Sequence, residues 1–420
     1  MQSLSRLVGI GYLLVCLAAV GASFAIGPVG YAPFPLTAGP PQEPVVVTVW
    51  YGTEKKAWLE NATARFLATQ PKVGTRPVQV VLHGLGSREM AERVAHKDWR
   101  NDGQPTVISP ASSLWVETLT TDWAANNPGA APVVASGADA PRPLVLTPMV
   151  LVAWEARARA LWPAAPDAKT FWSSLHDALA DQRGWKGVIE RRKGEISPQE
   201  LAQLQQAAES WGFVKFGHTS PMSSNSGAQT LLLLAYGYHN KSSGLSTADV
   251  ADPAFQSWLL DVESSVPEFP ESTGTLMDNM VQFGPSKYDM IATYENLAIA
   301  NIETAKGRWG AVRVYYPPAT SLSDHPYAIL SGDWVSQPQR EAAAQFRSFL
   351  LSRPIQELAL SGYGFRPADP GVPVVSGDIN NPFNRYKSYG LQTDIAQQVA
   401  TPDGTTIGAM LAFWQQRVNR

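Results

Sequence analysis

One cysteine, Cys16, stands in 420 residues. That count excludes an internal disulfide framework and a cysteine metal site. Charge of one sign is lacking too: 33 Lys and Arg face 36 Asp and Glu, for a formal −3. Nothing here is basic enough to follow a nucleic acid backbone, so no nucleic acid partner is expected. No G-x-S-x-G marks a nucleophile elbow, and neither H-E-x-x-H nor G-x-x-x-x-G-K-[ST] occurs. The six histidines are scattered, and no acid/base pair at a workable spacing can be assigned. The chain is therefore read as a non-enzyme without cofactor or resident metal.

Long apolar runs are confined to the start. Residues 7–27, "LVGIGYLLVCLAAVGASFAIG", follow Arg6, the only charged residue among the first 27. A basic flank and an apolar run are the signature of an export signal, which places the body outside the cytoplasm. The run is also long enough to cross a bilayer, so cleavage after Ala25 and an uncleaved membrane anchor through 7–27 both stay open. Cys16 lies inside the run and follows Val15, which disfavours a lipoprotein. Residues 28–44 are proline-rich and read as an extended linker.

The length suggests two globular units. "VVVTVWYG", 45–52, is a β-branched run ended by Gly, as expected of a strand buried on both faces. "TEKKAWLENATARFLATQ" follows with helical spacing. The plan repeats with "PVQVVLHG", "SREMAERVAHKDW", "PTVISP" and "SSLWVETLTTDWAANN". Alternation of this kind predicts an α/β fold of mostly parallel sheets flanked by helices. The run "PRPLVLTPMVLVAWE", broken by Pro148, reads as a crossing into a second lobe, and 321–328 as the crossing back. Lobe 1 is then 45–147 plus 326–420, lobe 2 is 148–325, and hinges fall near 147–150 and 321–328. Residues 190–212 read as a solvent-facing helical insertion.

Strand-to-helix turns gather free backbone N–H groups and the positive ends of helix dipoles. Four stand out: Thr53 and Glu54 after Gly52; Ser109, Ser112 and Ser113; Ser224, Asn225 and Ser226 within "SSNSG"; and Tyr294 with Glu295. A serine or threonine at a helix start is ordinarily a cap, but "SSNSG" has more hydroxyls than capping needs, and Gly227 lets a ligand approach the backbone. His218 reads as a hydrogen-bonded loop residue and His325 as a pin on the return crossing. Tyr315 and Tyr316 raise ferric iron, but adjacent strand residues face opposite ways. Trp50, Trp115 and Trp154 fall near the expected cleft, where they could stack on a sugar; Trp58, Trp123 and Trp258 fall at core spacing.

The ordered series "VWYGTEKKAWLE", "PTVISPASSLW", "PLVLTPMVLVAWE", "FGHTSPMSSNSGAQTLLLLAY", "YDMIATYENL", "YYPPATSLSDHPYAIL" and "QFRSFLLSRPIQELALSGYGFRPA" resembles bacterial extracellular solute-binding proteins of the type II periplasmic binding fold. The branch it is similar to is that of the molybdate, sulfate and phosphate binders of ABC transporters. The resemblance implies two lobes closing on a small solute, with an oxyanion the expected ligand, and an ABC-type membrane permease as partner. It also implies ligand contacts from Thr53, Ser109 or Ser112, Ser224 to Ser226, and Tyr294. A membrane-tethered sensor or interaction module on the same fold, and a sugar or metal binder, are the alternatives. This chain has Gly52-Thr53 where related chains often carry a serine pair.

Overall fold

In the computed structural model, residues 12–18 and 42–418 are described. The expected leader and linker lie largely outside them. Residues 12–18 are helical and exposed, and among the described residues no helix is long and apolar enough to cross a membrane.

Strand β1, Val45–Gly52, has no exposed residue. It pairs in parallel with β3 (Arg76–Leu85) and β4 (Val107–Ser109). The first sheet runs β2-β3-β1-β4-β11-β5, with β2 at Lys72–Val73, β5 at Arg142–Pro143 and β11 at Pro326–Ile329. Only its edges and β11 are antiparallel. One face is covered by helices Lys56–Ala68, Gln337–Leu350 and Arg353–Tyr363, which bring Trp58, Phe66 and Phe346 against β1. The other is covered by Ser87–Ala95 and Leu114–Asn126.

The second sheet corrects the expectation of mostly parallel strands. Its centre is β6, Val145–Trp154, paired antiparallel with β8 (Met290–Tyr294), β9 (Val312–Tyr315), β10 (Leu322–Ser323) and β12 (Arg366–Pro367). Only β7, Phe216–Gly217, pairs in parallel, with β8. The reason is that β6 carries the chain in while its neighbours carry it back. Buried on both faces, such strands look as continuously apolar as parallel ones. Pro148, expected as a break, sits within β6 opposite Leu322. Val145 belongs to the first core and Met149 and Leu151 to the second, so one strand serves both.

Residues 382–418, grouped by sequence with the first lobe, pack on the second. Ile407, Met410, Phe413 and Trp414 of helix Gly404–Arg417 join the cluster built on Leu231, Leu234 and Phe255. Phe383, Tyr386 and Leu391 join another with Val150 and Ile299. Trp414 also donates its indole N–H to buried Glu263 at 2.9 Å. The insertion likewise has a buried side: helix Pro198–Ala208, capped by Ser197, buries Leu204 and Ala208. Beyond it Trp211 lies edge-on to Trp185 and under the Arg157 guanidinium, 3.4 Å away. We expect Trp414→Ala to cost about 3–5 kcal/mol through the cavity it leaves, read as a lower urea midpoint.

Candidate functional site

Because the parallel strands β1, β3 and β4 of the first sheet end at Gly52, Leu85 and Ser109, the helices that follow them start on one side of that sheet. The starts of helices Asn225–Tyr238, Thr273–Phe283 and Glu295–Arg308 face them from the second lobe. Between them lies a chamber of about 10 Å³, room for about one water. Thr53, Glu54, Gly86 and Ser87 line it from the first lobe, and Ser224, Asn225, Thr273 and Tyr294 from the second. Thr53, Leu85, Gly86, Glu271 and Ser272 also line a cleft of about 600 Å³ outside it. So small a chamber admits a solute only when the lobes part.

Five of the sequence candidates thus share the chamber: Thr53, Glu54, Ser224, Asn225 and Tyr294. The others stand behind it. Ser109 is fully buried and gives its carbonyl to Lys55 at 2.8 Å. The Ser112 hydroxyl accepts from Leu114 N–H, and Ser113 is held by Asp324 through its N–H, at 2.8 Å, and its hydroxyl. The Ser226 hydroxyl is shared with Thr219 at 2.7 Å and Thr273 at 2.6 Å. Glu295 is held by two Arg366 hydrogen bonds of 2.7 and 2.8 Å and by the Tyr316 hydroxyl. Ser87 and Thr273 were not anticipated. Their signal was present in "GLGSREM" and "PESTGT", each a small-residue turn opening a helix.

Side-chain capping is uneven at the chamber, where Ser272 caps helix Thr273–Phe283, and it is uneven elsewhere too, where Trp154, Thr170 and Ser352 make no cap. Ser197, Ser246, Ser272 and Asp403 each cap a helix with a side-chain hydrogen bond. Gly86, Ser224 and Tyr294 occupy the same position and make none. Ser224 instead turns its hydroxyl to Ser226 at 3.2 Å and Thr273 at 3.3 Å. Two of their early N–H groups are already taken, Arg88 by Ser223 O and Asn296 by Thr147 Oγ1, both at 3.3 Å, while the positive ends of the helix dipoles still point toward the chamber.

Asn225 has no capacity left for a ligand. Its carbonyl accepts from Trp115 Nε1 at 2.8 Å and Gln229 Nε2 at 3.5 Å, and its amide donates to Tyr294 OH at 2.8 Å and Ser323 Oγ at 3.2 Å. A carboxamide offers two donors and two acceptor sites, and all are used. Tyr294, accepting from Asn225, keeps its proton to give. Burial and then the Glu54 carboxylate push that phenol far up, so it stays a donor.

The tryptophans near the cleft are packed, with Trp50, Trp115 and Trp154 all nearly inaccessible. Tyr315 packs at a tilt against Trp162 while Tyr316 reaches Glu295, on opposite sides of the strand. Among the described residues no His, Cys, Asp and Glu group has metal-site geometry. His218 is buried, with Nε2 3.1 Å from both Glu263 oxygens.

Glu54 and Lys55 form a buried pair at 2.8 Å, and Lys55 also donates to the Ser109 carbonyl. Burial works against the Glu54 carboxylate, but Lys55 and then His325 outweigh it and bring its pKa from 4.5 to about 2. Burial, then Lys55, lowers the His325 pKa, so the ring is neutral at pH 7. Its Nδ1 lies 3.2 Å from Glu54 but not aligned as a hydrogen bond. The backbone of His325 pins the crossing, with N–H to Ala111 and carbonyl to Leu144 N–H. A carboxylate whose folded pKa is depressed stabilises above its unfolded value and loses that contribution as pH falls. Stability is therefore expected to drop between pH 4.5 and about 2. Glu54→Gln should flatten that limb of the melting temperature against pH, with a lower melting temperature at pH 7.

Comparison with known proteins places this geometry. Residues 47–366 match the family described as "Bacterial extracellular solute-binding protein". Two curated Mycobacterium tuberculosis sequences, uncharacterized proteins MT1884 and Rv1836c, are each 26% identical over 335 residues, 76% of this chain. The match covers 42% of those relatives, so the chain spans less than half their length. Among solved structures, the sulfate-binding protein SubI from Mycobacterium tuberculosis is 19% identical, with a TM-score of 0.50, over 89% of this chain and 97% of its own. The periplasmic binding protein AfuA from Actinobacillus pleuropneumoniae, with fructose-6-phosphate bound, is 11% identical with a TM-score of 0.54, covering 89% and 98%. Iron-bound HitA from Pseudomonas aeruginosa is 15% identical with a TM-score of 0.53, covering 90% and 99%. The two-lobed mixed α/β architecture, the facing turns and the match over 47–366 lead to one conclusion: this chain belongs to the bacterial extracellular solute-binding proteins.

Proposed function

We propose that the chain captures a small oxyanion between its two lobes, outside the cytoplasm, and delivers it to an ABC-type permease. The observation that carries this reading is the meeting of neutral hydroxyls and uncapped helix starts from both lobes at one chamber. Such donors satisfy dispersed negative charge without a counter-cation. Of the two carboxylates in the lining, Glu54 is neutralised by Lys55 and Glu271 is exposed to solvent, so the buried one need not repel an anion. The sulfate named for SubI is in keeping with this class of ligand.

Delivery requires that closure report occupancy. Contacts across the gap supply the means: Arg88 N–H donates to Ser223 O at 3.3 Å, and Asn296 Nδ2 to Glu54 O at 3.2 Å. A solute bridging both lobes shifts the open and closed populations toward the closed form. A second reading, a membrane-tethered sensor or interaction module, draws on the relatives in which the matched region is under half of the chain. Solute uptake by a permease that depends on this chain would separate the two.

Titration with sulfate, phosphate and molybdate, followed by tryptophan fluorescence, tests the oxyanion; no response to any of the three removes it. Tyr294→Phe is expected to weaken binding about fivefold, the worth of one hydrogen bond. Gly86→Ala should weaken it with the melting temperature unchanged. Gly86 has an ordinary φ of −64°, yet a Cβ there would lie 2.6 Å from Ser223 O across the gap. Glu89, Glu268 and Glu271 line the outer cleft, so stopped-flow association should quicken as salt screens them.

A further inference from the structure

Trp115 and Asn225 belong to different lobes. Trp115 lies in helix Leu114–Asn126, on the first sheet, and packs with Met90, Val94 and Leu119. Asn225 opens helix Asn225–Tyr238 in the second lobe, and Ala228, one turn on, enters the same first-lobe cluster. The indole N–H to Asn225 Oδ1 bond, 2.8 Å and buried, therefore crosses from one lobe to the other. Through the amide it continues to Tyr294 OH in the chamber and Ser323 Oγ on the return crossing.

We propose that Trp115 is a positioning residue that acts through Asn225: its N–H latches the closed arrangement of the lobes and at the same time fixes the amide that orients Tyr294. The proposal rests on the reading that the gap closes over a solute. Trp115 is not itself part of the chamber lining and reaches it only through Asn225, so its effect is on closure and on the amide, not on the solute directly. When the lobes part, the indole loses its partner and the amide loses one of its four bonds. Closure and donor geometry then form together.

Trp123 provides the control. It lies on the same helix, is similarly buried, and donates its N–H to Ala131 O at 3.0 Å within the first lobe. Replacing either indole by Phe removes one hydrogen bond and a similar volume, but only Trp115→Phe removes a bond between lobes. Spin labels on cysteines at exposed Glu60 and Ser264, one per lobe, in a Cys16→Ser background, report the interlobe distance by pulsed electron resonance. In ligand-free protein, Trp115→Phe is expected to reduce the ratio of closed to open populations about fivefold. Trp123→Phe should keep the wild-type ratio, although both variants melt at lower temperature. Equal distributions for wild type and Trp115→Phe, equal shifts in the two variants, or a wild type with no closed population would each overturn the latch. Adding sulfate, phosphate or molybdate to the wild type tests the oxyanion separately: if none moves the distribution, that reading falls, while the ligand-free comparison still decides the latch.

Discussion

A lysine ammonium with no access to solvent must be fully satisfied, and the turns of the first lobe are arranged around that requirement. Lys55 gives its protons to Glu54 and to the carbonyls of Ser109 and Pro110. It thereby ties the turn after β1 to the turn after β4. The Glu54 carbonyl accepts from Asn296 of the second lobe, so the same dipeptide is the base on which the lobes meet. A buried pair of this kind contributes little net stability, because desolvation offsets attraction. What it provides is geometry: breaking it would strand a charge, so alternative arrangements of these turns are disfavoured.

Around that base the polar groups divide by what they leave unused. Asn225, Ser226 and Glu295 have their valences filled by protein. Thr53, Ser224, Thr273, Tyr294 and the uncapped helix starts border the chamber. The first set holds the walls, and the second provides donors.

Much of this was legible in the sequence because strand ends followed by small polar residues mark a turn whatever the wider fold. The β-branched run at 45–52 and the hydroxyls of "SSNSG" gave a strand, a helix start and a shared location. Strand direction in the second lobe was not legible, because Val150, Leu151 and Val152 are buried on both faces and carry no alternation to read. The C-terminal helix was misplaced because Met410, Phe413 and Trp414 specify an apolar face without naming the surface it covers. Asn225 was expected to meet the ligand, and only the positions of Trp115, Tyr294 and Ser323, distant in sequence, reveal that its amide is already engaged.

Pro148 lies in β6 where that strand passes from the first core to the second, between Thr147, paired with Ser323, and Met149, whose N–H reaches Ser321 O. Opposite Leu322 it occupies the non-hydrogen-bonded level of the antiparallel ladder, and as a proline it brings no backbone N–H of its own. A torsion bar yields most easily where it is least braced. Rotation of one half against the other can concentrate there, twisting the strand with no N–H bond to lose at Pro148 and leaving the rungs on either side intact.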